Sequence, residues 1–149
     1  MSRPIDVKQF YNEFSKSTLF EDFHRLNLRQ EKIKSLCNRF IPPGAKILEI
    51  GCGVGIITKH IERRASEVVA IDISDMNVRF AALYVRSKKV VFRARDLLNG
   101  VDELKQYGPF NVVLLADVIE HIPKEKYKEV FKLIENILAK NGKVIITFP

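Results

Sequence analysis

Glycines and acidic side chains that could bind a charged ligand follow the short apolar segments of this sequence. The first set is the turn Gly51–Gly55, with the sequence GCGVG, which Glu49 precedes by two residues. Glycines allow a tight turn and a close approach of a ligand to the main chain, and the helix that follows offers free N–H groups. A dinucleotide-binding loop would have glycine where this chain has Ile56. An acid at Glu49 would repel a pyrophosphate and suits a ligand with positive charge.

Two single aspartates could bind a nucleoside. Asp72 lies twenty-one residues after Gly51, where a carboxylate can accept hydrogen bonds from both hydroxyls of a ribose. Asp72 could instead begin the next helix as a cap, with Ser74 or Asp75 beside it. Asp96 could accept a hydrogen bond from an adenine amino group, although a loop aspartate more often forms a turn.

Three titratable groups, Asp117, Glu120 and His121, lie close together after a nearly all-apolar segment. His121 is the best candidate for a catalytic base because imidazole titrates near neutral pH. A structural role for His121 is the alternative.

The elements that must position these residues alternate along the chain. Residues 7–40 are predicted to be helical, in two pieces, and Pro42-Pro43-Gly44 ends them. The predicted strands are Lys46–Ile50, Glu67–Ile71, Val90–Ala94, Phe110–Ala116 and Lys143–Phe148, and the predicted helices between them are Ile56–Ala65, Ser74–Ser87 and Lys124–Leu138, the last stopped by Asn141-Gly142. Such alternation predicts a parallel α/β sheet. Ligands then bind at the carboxyl ends of the strands, where the acids and the turn lie.

Length and composition fit one globular domain. The chain has 149 residues, of which 46% are hydrophobic and 29% charged, which excludes a disordered tail or a disulfide-stapled miniprotein. Two cysteines, Cys37 and Cys52, make neither a disulfide framework nor a zinc site and favour a reducing, cytoplasmic setting. The first ten residues have no apolar signal region. No apolar segment is long enough to span a membrane.

The net charge of +7 permits an anionic partner without requiring one. One basic cluster runs from Arg86 to Arg95 and could bind an anion, although a solubilising sheet edge is the preferred interpretation. A second cluster, Lys124–Lys132, is interleaved with glutamates and indicates a solvated helix face.

These motifs resemble the class I S-adenosylmethionine-dependent methyltransferases, of the small-molecule type, from about Tyr11 to Phe148. The resemblance is carried by LEIGCGVG at 48–55, IDIS at 71–74, DL at 96–97 and DVIEHI at 117–122. FYNEF at 10–14 is similar to the lead-in helix of many such enzymes.

The resemblance implies a role for each site residue. Gly51 and Gly53 would pass beneath the methionine part of the cofactor, with Cys52 among the contacts, and Glu49 would lie near its positive charge. The remaining implied contacts are Asp72 with the ribose, Ile73 and Asp96 with the adenine, Leu97 through its main chain, and Ala116, Asp117 and Val118 with the methionine amino group. Tyr11 would belong to a lid.

The resemblance also implies a Rossmann-like, doubly wound sheet with strand order 3-2-1-4-5. We expect a helical lid segment at 1–41 and a cofactor-binding core at 42–149. The family sheet normally has seven strands, so we expect the last two to be missing here. The fifth strand would be an apolar edge, which a longer natural chain, a partner or a second copy would cover.

The spacing Asp-x-x-Glu-His at Asp117, Glu120 and His121 is similar to the Glu-x-x-Glu-His metal site of some O-methyltransferases. Here the first ligand is shortened to aspartate, and no convincing further histidine is present. We therefore predict no metal.

The predicted function is methyl transfer from S-adenosylmethionine to a small molecule, at oxygen or carbon, with S-adenosylhomocysteine as product. One alternative is an RNA or protein methyltransferase that uses the Arg86–Arg95 cluster, which the absence of an Asn-Pro-Pro-Tyr type motif disfavours. The other is a cofactor-binding module without turnover.

Overall fold

The computed structural model describes residues 28–98 and 101–149. The strands are β1 (Lys46–Ile50), β2 (Glu67–Asp72), β3 (Val90–Ala94), β4 (Phe110–Ala116) and β5 (Leu138–Thr147). The helices are α1 (Leu28–Phe40), α2 (Ile56–Ile61), α3 (Asp75–Val85), α4 (Val101–Lys105) and α5 (Tyr127–Ile137), with single 3₁₀ turns at Ile119–His121 and Lys124–Lys126. The predicted lid residues before Leu28, Tyr11 among them, lie outside the described residues.

The five strands form one sheet in the order β3-β2-β1-β4-β5, with all neighbours parallel. This confirms the predicted doubly wound topology. From β1 the chain moves outward to β2 and β3, and then crosses back to β4 on the other side. The strand order therefore reverses between β1 and β4, which is where such sheets bind ligands beyond their carboxyl ends.

Apolar layers cover both faces of the sheet, because alternate side chains of the central strands point to opposite sides. On one face α1 and α2 pack through Ile33, Cys37, Ile57 and Ile61. On the other face α4 and α5 contribute a second set, Leu104, Val130, Leu133, Ile134 and Ile137. The strands β1, β2 and β4 supply buried residues to both layers. No helix in the described part of the chain is long and apolar enough to cross a bilayer.

The sequence located β1, β3 and β4 to the residue, and the element ends elsewhere differ from prediction. Helix α2 stops four residues early, at Ile61, because Glu62–Arg64 form a turn that leads into β2. Strand β5 begins at Leu138, where a helix end was predicted, since Leu138 already pairs with Phe110. Asn141, with a φ of 66°, then lies inside β5 at a shift of register rather than before it.

The short helix α4 was missed altogether. The expectation that further chain or a second copy covers β5 stays a prediction.

Leu114 offers a test of the core. It lies in β4, is fully buried, and pairs with Glu49 of β1. We expect Leu114→Ala to lower the free energy of unfolding by about 2–5 kcal/mol, because it removes buried methyl groups and leaves a cavity. The matched control is Leu83→Ala in α3, whose side chain is 67% exposed, with an expected change within about 0.5 kcal/mol. Equal losses in urea unfolding would contradict this assignment of the core.

Candidate functional site

The turn after β1 is anchored to β2 by main-chain hydrogen bonds. The N–H groups of Gly51 and Cys52 both donate to the carbonyl of Ile71, at 2.8 and 2.9 Å. Gly51 has a φ of +73°, and a Cβ there would lie 2.3 Å from Cγ2 of Val118. Only glycine fits, because the Val118 side chain occupies the volume of the missing methyl group. The end of β4 is thus packed directly on the turn.

The next glycine of the turn, Gly53, has empty space at the position of a Cβ, whereas Val118 occupies that space at Gly51. Its φ is +52°, and a Cβ added there would meet no atom within 4 Å. Its N–H donates to Oδ2 of Asp72 at 2.8 Å. A ligand can therefore reach the backbone of Gly53, next to a carboxylate.

Asp72 ends β2 with its carboxylate well supported. Oδ1 accepts hydrogen bonds from the N–H of Ser74, at 2.9 Å, and from Nδ2 of Asn77, at 3.3 Å. Burial raises the pKa of Asp72, against these hydrogen bonds, which lower it. The cap of α3 is Ser74, whose hydroxyl accepts from the N–H of Asn77. Asp72 is thus not the residue that caps α3, and its carboxylate faces the turn.

Glu49 lies deeper than the sequence suggests. It is 2% exposed, and its Oε2 accepts a hydrogen bond of 2.6 Å from the hydroxyl of Thr58 in α2. Burial raises the pKa of Glu49 to about 8. Its place as a direct counter-charge to a cationic ligand stays a prediction, and this burial argues against it.

Asp117 follows β4 in a left-handed conformation, with a φ of 55°. Arg29 of α1 donates two hydrogen bonds to its carboxylate, of 2.9 Å from Nε to Oδ2 and 2.5 Å from Nη2 to Oδ1. Thr147 of β5 donates its hydroxyl to Oδ1 at 2.7 Å. The hydrogen bond from Arg29 is the main reason that the pKa of Asp117 is lowered. Asp117 therefore ties α1 to the carboxyl ends of β4 and β5.

His121 lies in the 3₁₀ turn that follows Asp117, and its side chain is 57% exposed. Its Nε2 is 3.9 Å from Oε1 of Glu120. Residues 28–98 and 101–149 contain no group of three His, Cys, Asp or Glu side chains suited to a metal ion. The carboxylate of Asp117, the first ligand of the metal-like spacing, is bound by Arg29 instead.

The other predicted residues lie at the same sheet edge in neighbouring loops. Asp96, after β3, accepts a hydrogen bond of 3.0 Å from the N–H of Leu98, as a turn-forming aspartate does. Leu97 is buried, and Ile73 and Ala116 are half-buried. The structure brings Gly51 against Val118 and Gly53 against Asp72. Asp96 lies in the loop after β3, and His121 lies in the 3₁₀ turn after β4.

Sequence reasoning missed three side chains of the site. Arg29 and Thr147 hold Asp117, and Thr58 holds Glu49. Thr58 had a signal, because it lies between Ile57 and Ile61, which the four-residue spacing places on the apolar face of the helix, and the structure buries all three. Arg29 had none, since a helix of thirteen residues with several basic side chains does not reveal which of them turns inward.

The Arg86–Arg95 cluster is largely engaged within the molecule. Lys89 donates to the carbonyl of Ala65, the guanidinium of Arg93 lies 5.8 Å from the centre of the Tyr107 ring, and Arg95 pairs with Glu103. These contacts favour the interpretation of the cluster as a solubilising edge.

A family model described as a methyltransferase domain matches residues 11–149. The chain belongs to this family. A curated relative, the ubiquinone biosynthesis O-methyltransferase of Rickettsia bellii, is 32% identical over 124 residues, which are 83% of this chain and 49% of the relative. The chain spans about half the length of the curated relatives it matches.

Solved structures agree with the observed fold. A crystal structure from Pyrococcus horikoshii OT3 is 30% identical, with a TM-score of 0.74, over 95% of this chain and 66% of that one. The DhpI-SAM-HEP complex also has a TM-score of 0.74, over 98% of this chain and 66% of that one, and at 19% identity it supports the fold alone.

Gly51 tests the packing between the turn and β4 of this methyltransferase domain. We expect Gly51→Ala to lower the free energy of unfolding by about 2–4 kcal/mol, because the new methyl group clashes with Val118 and L-residues resist this φ. In the double variant with Val118→Ala, the stability lost through the clash should return, and the stability lost through the unfavourable φ should stay lost. Denaturant unfolding of both proteins measures the two parts, and equal stabilities would show that Val118 does not press on Gly51.

Proposed function

We propose that this methyltransferase domain binds S-adenosylmethionine at the carboxyl edge of its sheet and transfers the methyl group to a small-molecule acceptor. The observation that carries the proposal is the open backbone of Gly53 beside the carboxylate of Asp72. The relatives support it, since several are named ubiquinone biosynthesis O-methyltransferases, and one structural neighbour is a complex with SAM.

The residues present fit this cofactor. Asp72 keeps acceptor capacity beyond its three hydrogen bonds, because two carboxylate oxygens offer about four lone-pair sites, so it can accept the ribose hydroxyls. Ile73 offers an apolar contact for the adenine, Asp96 can accept a hydrogen bond from its amino group, and Leu97 can add a main-chain contact. The Gly51–Gly53 turn and the segment Ala116–Val118 would border the methionine part.

The chemistry requires little from the protein beyond positioning. When bound, the sulfonium group supplies an activated methyl that an acceptor oxygen or carbon attacks in line. The chain must hold both partners at attack distance and exclude water, which accounts for much of the barrier reduction in such reactions. The packed turn and the short, well-bonded loops after β1, β2 and β4 give that rigidity.

We propose His121 as the general base for a hydroxyl acceptor. Its half-exposed imidazole lies at the carboxyl end of β4, where an acceptor can reach it. Glu120, 3.9 Å away, would stabilise the imidazolium that forms when the proton moves to Nε2.

The proposal includes a cytoplasmic location and a small-molecule partner. Cys37 and Cys52 are both buried free thiols, which supports a reducing, cytoplasmic setting. The internal contacts of the Arg86–Arg95 cluster favour a small-molecule acceptor over RNA.

Gly53→Ala tests the cofactor site, with Gly44→Ala as its matched control. Both glycines have positive φ and open space, at +52° and +76°, but Gly44 lies before β1, at the opposite edge of the sheet. We expect each substitution to cost about 1–2 kcal/mol of stability. Only Gly53→Ala should weaken S-adenosylmethionine binding in calorimetry, by about tenfold or more, since its methyl group would occupy the ligand space. A wild-type chain that binds no S-adenosylmethionine would overturn the proposed function.

His121→Ala tests the proposed base. With a hydroxyl acceptor we expect kcat to fall about 10²–10⁴-fold, because the general base is lost, while cofactor affinity stays the same. His60→Ala is the control, since His60 bonds to Asn38 on the face covered by α1 and α2. Equal kcat values for His121→Ala and wild type would remove His121 from the chemistry.

A further inference from the structure

We infer that Glu49 is protonated when the Gly51–Gly55 turn is formed, and that this neutral acid, hydrogen-bonded to Thr58, positions the turn for the cofactor. Glu49 is then a positioning residue and not a counter-charge for a cationic ligand. The part that concerns the cofactor rests on the proposed function. The part that concerns the proton does not.

Glu49 lies between apolar, buried residues of the two neighbouring strands. Its neighbours in the sheet are Ala70 of β2 and Leu114 of β4, both fully buried. Among the residues that the structure describes, no lysine, arginine or histidine forms an ion pair with Glu49. An unpaired charge buried among apolar side chains is so costly that the group keeps its proton instead.

The titratable groups around Glu49 also oppose its ionisation. Asp72 faces it from β2, Cys37 from α1 and Cys52 from the turn. Each of these groups is neutral or negative, so none would stabilise a carboxylate at Glu49. Burial raises the pKa values of both thiols, which keeps them neutral near pH 7.

The two neighbouring acids differ in what supports them. Asp72 receives N–H hydrogen bonds from Gly53, Ser74 and Asn77, which favour its ionised form. Within the described residues, Glu49 receives one side-chain hydrogen bond, from the hydroxyl of Thr58. These two environments favour different protonation states for the two acids. The negative charge therefore resides on Asp72, and Glu49 keeps its proton.

The bond to Thr58 explains how a buried acid can act on the turn. Glu49 is the last residue but one of β1, and Thr58 lies in the first turn of α2, so their 2.6 Å hydrogen bond spans the Gly51–Gly55 turn from both sides. A hydroxyl can donate or accept, and the bond therefore persists with the proton on Glu49. Ionisation would place two like charges, on Glu49 and Asp72, under the turn.

The test is Glu49→Gln, a neutral substitution of the same shape, with Glu135→Gln on the exposed face of α5 as control. As the pH rises from about 6 to about 9.5, infrared difference spectra of wild type should show the loss of a protonated carboxyl band. Glu49→Gln should lack this change, and Glu135→Gln should show it as wild type does. The band is recorded on folded wild type, and the comparison with Glu49→Gln assigns it to Glu49. A carboxylate signal from Glu49 at neutral pH would overturn the inference.

Stability gives a second readout of the proton. The stabilisation from protonated Glu49 is complete below its ordinary pKa of 4.5 and is lost as pH rises through about 8. Between these values the unfolding equilibrium constant of wild type should rise about tenfold per pH unit relative to Glu49→Gln. Parallel pH profiles would contradict the inference.

Cofactor binding tests the positioning role. We expect Glu49→Gln to bind S-adenosylmethionine within about threefold of wild type at pH 7 and to keep that affinity above pH 8, where wild type weakens. Thr58→Val should bind more weakly at every pH, and Thr58→Ser should restore binding. A loss of about thirtyfold or more in folded Glu49→Gln would show that the charge itself is needed. If wild type binds no cofactor, the proposed function and this positioning role both fail, and the infrared result still decides the proton.

Discussion

The carbonyl of Ile71 is the fixed point on which the site depends. It accepts the N–H groups of both Gly51 and Cys52, so the turn after β1 cannot move without breaking its link to β2. This link requires the positive φ of Gly51, and it brings the turn so close to β4 that Val118 fills the place of a side chain. Three strand ends are thereby locked into one rigid edge.

Much of this edge could be predicted because its physics is local. The apolar segments that become β1, β3 and β4 are short and bounded by turn residues, and such segments have few alternatives to a buried parallel strand. Asp72 and the glycines were recognised because the carboxyl ends of parallel strands must meet. The sequence does not distinguish Gly51 from Gly53. In the structure Val118 occupies the side-chain space at Gly51, and the same space at Gly53 is empty.

Side-chain contacts and element ends that depend on distant parts of the chain could not be predicted. The grip of Arg29 on Asp117 joins residues 88 positions apart, and no spacing rule relates them. The start of β5 at Leu138 depends on its pairing with Phe110, which overrides the helical pattern of the preceding residues. In both cases tertiary contact, rather than local preference, decided the outcome.

The three acids of the site illustrate how environment assigns different states to the same chemical group. Asp117 is held ionised by a guanidinium at the surface. Asp72 is buried but bonded by three N–H groups, and Glu49 is buried with one hydroxyl. Charges on both Glu49 and Asp72 would repel each other, since like charges at this depth are poorly screened. On our inference the charge lies on Asp72 and Asp117, which both receive N–H hydrogen bonds, and Glu49 with its one hydroxyl donor stays neutral beneath the tightly packed turn.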